Sequence, residues 1–251
     1  MGGRSRHTEM NRILLELEEI APDGSALLRD ARAEHVRSVL HAEPGREIRI
    51  GQIDGPPGTA RVVTVSADEI RLDCHLENQP PPRPAIDLLL ALPRPKVMKR
   101  LWAPLAALGV GRILLTRAAK VERTYFETHW IRPEHYRPLL IEGLQQAGDT
   151  LLPRVEIHTR FRPLVEDLIP REFSAERKLV ADPAGQHRFR DLTFTPGERA
   201  LLAIGPEGGW SEFELDLLAR AGFTSVTVGA RILRTDTACI ALLALLQDWI
   251  G

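Results

Sequence analysis

The chain has 251 residues, 43% hydrophobic and 27% charged, with a net charge of −1. That composition excludes a disordered chain and suits one large domain, or one large and one small, stable without disulfides or metals. The balance is not that of a strongly basic nucleic-acid binder. Charge is uneven, however: Arg83 to Arg123 holds nine basic and two acidic residues, a local +7 against −8 for the rest. Such a region can neutralise phosphates, and it also fits a solvated surface.

Cys74 and Cys239 stand in no metal-ligand spacing, which points to a reduced, metal-free, cytoplasmic protein. Met1 to Met10 is polar, with Arg4, Arg6 and His7 and no apolar stretch behind them, so no secretory signal is expected. The longest apolar run, Ala238 to Leu246, is nine residues and too short for a membrane span.

In chain order, a short helix is expected over Ala31 to Leu40, with Val36, Val39 and Leu40 on one side. Arg46–Ile50, Thr59–Val65 and Glu69–Leu76 alternate polar and apolar residues and read as half-buried strands. Turn residues separate them: Pro44-Gly45, Asp54-Gly55 and Pro56-Pro57-Gly58. Gln79 to Pro84 holds four prolines in six residues, which favours an extended linker. The domain boundary is placed there, with a β-rich domain over 1–79 and a second domain over 84–251.

The second part alternates strand and helix. Ile86–Leu92 is an apolar run of buried-strand length, and Val97–Leu108 is an amphipathic helix. Arg112–Leu115 is a strand, and Pro133–Gly148 a helix closed by glycine. Strands follow at Arg177–Asp182, Ala200–Gly205 and Ser225–Gly229, and helices at Ser211–Ala221 and Thr235–Trp249. Alternating β and α predicts an α/β domain with a mostly parallel sheet covered by helices. The last helix is apolar nearly all round, so the sheet or another subunit is expected to bury it.

Two strand–helix junctions carry the chemistry. The first is Ala203-Ile-Gly-Pro-Glu-Gly-Gly-Trp-Ser-Glu-Phe-Glu214. Its glycines permit positive φ and close backbone approach to a ligand. Ser211 and Glu214 have capping-box spacing. Ligands of α/β sheets bind beyond the carboxyl ends of the strands, although a glycine turn needed only for geometry has the same pattern. No Gly-Lys-Ser/Thr follows, so this is no phosphate loop. The second junction is Val228-Gly-Ala-Arg-Ile-Leu-Arg-Thr-Asp-Thr-Ala238. Thr235 and Asp236 suit a helix start. Arg231 and Arg234 fit either a site or structural ion pairs.

Ile204-Gly-Pro-Glu-Gly-Gly209 followed by Gly229-x-Arg-Ile-Leu-Arg-Thr-x-Thr-Ala238 resembles the 16S rRNA uracil-N3 methyltransferase family, of the SPOUT trefoil-knot class. The likeness runs over almost the whole chain. His35 and Val39-Leu40, with Gly45 beyond, resemble the family's PUA-like domain; Leu108-Gly-Val110 and Gln146-Ala-Gly148 resemble its helix ends. Ala107, Pro104, Asp149 and His41 depart from the usual Glu, Lys, Arg and Arg, and Pro104 is expected to kink or break its helix.

The resemblance implies a small N-terminal PUA-like β-barrel and a C-terminal α/β trefoil-knot domain. It implies S-adenosylmethionine as cofactor, held by Asp182, Ile204, Gly205, Pro206, Glu207, Gly208, Gly209, Val228, Gly229, Ile232, Leu233, Arg234 and Thr237. It also implies methylation of uridine N3 in 16S rRNA of the small ribosomal subunit, by a homodimer. Arg234 would orient the base or stabilise its oxygens, and Glu207 would be base or orienting group. RNA would be bound by His35, Arg37, Lys96, Lys99 and Arg100. Two other readings stay open: a catalytically silent RNA-binding relative, and an enzyme of this fold with another RNA target. A dinucleotide enzyme is disfavoured, since no Gly-x-Gly-x-x-Gly follows an early strand.

Overall fold

A computed structural model describes residues 12–174, 176–195 and 197–250. The polar start with Arg4, Arg6 and His7 lies outside them. The described residues form two compact units, 12–82 with 141–152, and 83–140 with 153–250. The chain passes between units inside the proline-rich segment, but no single cut separates them. The reason is hydrogen bonding: Arg12 N donates to Gln145 O at 3.1 Å, Arg12 Nε to Gly148 O at 3.0 Å, and Thr150 Oγ1 to Gly55 O at 2.6 Å. These bonds hold 145–152 to the first unit.

The first unit contains β1 (Ile13–Leu15), β2 (Ser25–Leu28), α1 (Ala31–Ser38), β3 (Glu47–Gln52), β4 (Pro57–Val65) and β5 (Ile70–Leu76). The strands lie in the order β1-β3-β4-β5-β2. β1 runs parallel to β3 and the other pairs are antiparallel. The mixed sheet curls into a half-barrel. Alternation decides its faces: Ile48 and Ile50 point inward while Glu47 and Arg49 face water. Leu15, Leu28, Val36, Ile50, Val62, Ile70 and Leu72 are its buried centre. Asp30 starts α1 by accepting a hydrogen bond from Arg32 N at 2.9 Å.

The second unit is built on seven parallel strands in the order β10-β12-β9-β11-β6-β7-β8. Its elements are β6 (Ile86–Ala91), α2 (Pro95–Ala107), β7 (Val110–Thr116), the first part of α3 (Pro133–Ala147, which from Ile141 on belongs to the first unit) and β8 (Arg154–His158). A helical segment follows over 161–172: α4 (Phe161–Pro163), a π turn (Leu164–Leu168) and α5 (Ile169–Glu172). Then come β9 (Arg177–Ala181), β10 (His187–Arg188), β11 (Ala200–Ile204), α6 (Glu212–Arg220), β12 (Thr224–Thr227) and α7 (Thr235–Ile250). β6 and β11 are buried at every residue, as central strands covered on both faces must be.

The chain steps outward from β6 through β7 to β8. It then returns to the other side of β6, laying down β9, β11 and β12. After β12 it crosses back, so that α7 packs on β6, β11 and α2. Cys239, Leu242, Leu243 and Leu246 form the buried face of α7. Ile240, Leu245 and Trp249 remain exposed, at 44%, 37% and 36%. The sheet therefore buries one face of this helix; Ile240 and Leu245 flank its outward side, and Trp249 meets the Phe194 ring edge-on at 5.4 Å.

Pro104 does not break α2, which runs on to Ala107. A proline costs a helix one hydrogen bond and a steric clash. The cost is offset where Leu101, Trp102, Leu105 and Ala106 are all buried. Trp102 Nε1 also donates to Trp130 O at 2.9 Å.

Candidate functional site

A cavity of 310 Å³ opens at the carboxyl ends of β9, β11 and β12. Three connections line it. After β9 come Asp182, Pro183 and Ala184; after β11, Ile204 to Trp210; after β12, Val228, Arg231, Ile232 and Leu233. Leu215 of α6 and Thr235, Ala238 and Leu242 of α7 complete the wall.

Each connection is held by its own bonds. Asp182 N donates to Val226 O at 3.0 Å, joining the ends of β9 and β12. Asp182 Oδ1 accepts from Ala184 N at 3.0 Å, the turn chemistry expected of aspartate. Thr227 Oγ1 donates to Pro183 O at 3.3 Å. In the glycine loop, Gly209 takes a φ of +69°, and Gly209 N donates to Pro206 O at 2.8 Å. A Cβ on Gly205 would lie 3.2 Å from the Trp210 indole, which packs over that glycine. Thr235 Oγ1 donates to Gly205 O at 3.3 Å and so ties the start of α7 to the loop.

Past the loop, Ser211 caps α6 as its spacing predicts. Ser211 Oγ accepts from Glu214 N at 3.3 Å, and Glu214 Oε2 accepts from Ser211 N at 2.8 Å. Glu214 is buried, and its second oxygen accepts from Ala119 N at 2.6 Å. That bond brings the segment after β7 against the loop. Lys120 Nζ then donates to Gly208 O at 2.7 Å and to Trp210 O at 3.3 Å.

The walls are largely apolar, from Ile204, Leu215, Val226, Val228, Leu233 and Leu242. Polar character comes from backbone groups, Asp182, Glu207 and Arg231. Trp210 is 7% exposed, and its Nε1 donor has no partner among the described residues. A buried donor in a cavity wall without a partner suits a ligand acceptor. Glu207 is exposed at the rim, where its Oε1 accepts from Arg94 N at 3.2 Å.

The structure brings together Asp182, Ile204, Gly205, Pro206, Glu207, Gly208, Gly209, Val228, Ile232 and Leu233. Gly229, Arg234 and Thr237 are not in the cavity wall; Arg234 and Thr237 are exposed at the entry to α7. Ile232 is 83% exposed although it lies along the wall. Trp210, Thr227, Leu215 and Leu242 were not read as site residues. Trp210 follows Gly209 in the same loop and enters the wall by packing over Gly205, while Thr227, Leu215 and Leu242 reach the cavity through sheet order or helix packing.

The basic residues are dispersed. His35 and Arg37 sit on α1, where Arg37 donates to Ser66 O and to Glu34 Oε2, both at 2.9 Å. Lys96, Lys99 and Arg100 share the exposed face of α2. Lys99 lies 4.4 Å from the Trp130 ring centroid, and Arg100 pairs with Asp236 at 2.9 Å. No group of metal-ligating side chains occurs among the described residues. None of their helices is long and apolar enough to cross a membrane.

Residues 79–247 match the family described as RNA methyltransferase domain. The chain is 31% identical over 248 residues to the ribosomal RNA small subunit methyltransferase E of Treponema pallidum, with 96% of this chain and 93% of that one covered. It is 27% identical over 241 residues to the ribosomal RNA small subunit methyltransferase E of Synechocystis sp., covering 93% and 76%. Among solved structures, the ribosomal RNA small subunit methyltransferase E of Neisseria gonorrhoeae bound to S-adenosyl methionine superposes with a TM-score of 0.77. That pair is 25% identical over 97% of this chain and 99% of the other.

Proposed function

The chain belongs to the RNA methyltransferase domain family, and from that premise we propose that it methylates N3 of a uridine in 16S rRNA, with S-adenosylmethionine as donor. The observation that carries the reading is the cavity at the ends of β9, β11 and β12, floored by the Gly205–Gly209 loop. A solved relative of the same architecture, that of Neisseria gonorrhoeae, carries S-adenosyl methionine, which supports the choice of donor.

The residues fit the donor. Apolar Ile204, Val228, Leu233 and Leu242 offer a slot for a purine. The Trp210 Nε1 donor and the loop backbone offer hydrogen bonds. Bound there, S-adenosylmethionine supplies an electrophilic methyl group and leaves as S-adenosylhomocysteine.

The protein's part is to orient the base and move a proton. Uracil N3 becomes a nucleophile only as its proton departs. Glu207 is the carboxylate at the rim, and it takes that proton. Arg94 N, bonded to Glu207 Oε1, holds the carboxylate in place. Arg234 stands exposed beside the rim and stabilises the negative charge developing on the base oxygens. The target must be unstacked to reach the cavity, so a flipped or single-stranded uridine is the substrate. Lys96, Lys99 and Arg100 on α2, and His35 and Arg37 on α1, supply contacts to the RNA backbone.

The active form is a homodimer, and the knotted threading of the last strands and helix belongs to the same reading. The outward side of α7, flanked by exposed Ile240 and Leu245, is where a second copy packs.

The test is methyl transfer from labelled S-adenosylmethionine to small subunits that lack the modification, followed by nucleoside mass spectrometry. The expected product is 3-methyluridine in 16S rRNA. Label in another nucleoside would move the reading to a different target. Cofactor binding without transfer to any RNA would favour the silent relative.

A further inference from the structure

We propose that Lys120 is a positioning residue for the cofactor loop, holding Gly208–Trp210 in the shape that receives the ligand. This rests on the cofactor reading above. Lys120 comes from the connection between β7 and α3, far in sequence from the loop it touches. Its Nζ donates to two carbonyls of that loop, Gly208 O at 2.7 Å and Trp210 O at 3.3 Å. Its aliphatic stem lies across Gly208, where a Cβ would meet Lys120 Cδ at 3.0 Å and Cβ at 3.4 Å. Gly208 is therefore the residue that leaves room for the lysine.

An exposed lysine is usually a mobile chain with its charge in water. Two observations set this one apart. The neighbouring backbone is fixed, because Ala119 N donates to the buried Glu214 at 2.6 Å. Glu214 in turn caps the helix that begins just past the loop. The ammonium also bonds carbonyls, not a carboxylate, so its attraction acts on loop geometry. A charge-assisted bond to a carbonyl is among the stronger hydrogen bonds.

The consequence is local order before the ligand arrives. Gly205, Gly208 and Gly209 give the loop many accessible conformations. Holding Gly208 O and Trp210 O removes much of that freedom, and ordering that is already done is not charged to binding. The same clamp holds the backbone of Trp210, whose indole carries the unpartnered Nε1 donor.

The experiment compares the parent protein with Lys120→Met, which keeps the stem and loses the donor, and Lys120→Arg, which keeps the charge. Titration calorimetry with S-adenosylhomocysteine and amide hydrogen exchange of the ligand-free proteins are measured together. Lys120→Met should weaken the ligand about tenfold and speed exchange across Gly208–Ser211 several-fold, on the order expected of a loop that opens more often. Its unfolding midpoint should stay within about 2 °C, as for other exposed substitutions. Lys120→Arg should restore most of the affinity. Unchanged exchange in Lys120→Met, or affinity within about twofold of the parent, would overturn the proposal. Failure of the parent protein to bind the ligand would overturn the cofactor reading itself, and exchange would still decide whether the clamp exists.

Discussion

Glu207 and Arg234 show how little of a residue's role is settled by its motif. Both lie in strand–helix junctions, yet Glu207 borders the cavity while Arg234 is exposed outside its wall. Their roles separate by what each touches. Glu207→Gln keeps the size and an acceptor for Arg94 N, but it cannot take a proton at the relevant strength. Its kcat should fall about 100-fold with the dissociation constant for S-adenosylhomocysteine unchanged. Calorimetry and single-turnover transfer measure the two quantities, and an equal loss in both would reassign Glu207 to cofactor binding. Asp182, by contrast, spends an oxygen on Ala184 N and shapes its turn.

The elements of the second unit were mostly legible because their patterns are strong. Buried apolar runs marked β6 and β11, and the capping box marked α6. What escaped was weakly patterned. β8 is an edge strand of mixed polarity, Arg154–His158, and the 161–172 segment contains Pro163, Pro170 and a π turn. β1 is three residues long, too short to display a period.

The sheet also carries a charge that its pattern concealed. Asp87 in β6 is 1% exposed, beside Arg199 at 3.2 Å. Burial, with Glu176 adding to it, pushes its carboxyl up to about 6 from the ordinary 3.8. Below about pH 4 both folded and unfolded forms hold the proton. As pH rises toward 6 the unfolded chain releases it first, so stability falls, and above 6 the loss is complete. The decline amounts to up to about 3 kcal/mol. Asp87→Asn should remove this part of the pH dependence, measured as urea unfolding between pH 4 and 8. An unchanged slope between pH 4 and 6 would show that Asp87 titrates normally. Arg199 is 41% exposed and also meets Glu176 at 3.1 Å, so the variant does not strand it.

For the whole molecule, the outward side of α7 is the feature that asks for a partner. Ile240 and Leu245 are exposed on either flank of that side while the opposite side is buried. A second copy is the occupant that the proposed function supplies. Sedimentation equilibrium of the parent protein should give a dimer of the 28.0 kDa chain, and Ile240→Glu with Leu245→Glu should give a monomer that retains its helical signal. A parent protein monomeric at micromolar concentration would remove the dimer from the proposal.

The sequence by itself determined the α/β character of the larger unit, the half-buried strands β3, β4 and β5 of the smaller one and the two junctions that border the cavity. These follow from local rules: hydrophobic period, capping chemistry and the conformational freedom of glycine. It also carried the family resemblance, because two motifs in fixed order are specific where one is not. Tertiary structure alone decided which strands lie side by side, and hence that Asp182, Gly205 and Val228 face one cavity. It decided that 141–152 joins the first unit through Gly55 and Arg12, and that Lys120 reaches Gly208 across 88 residues of sequence. Such contacts have no local signature, since they depend on how distant elements close on one another and on which polar groups are left to pair when they do.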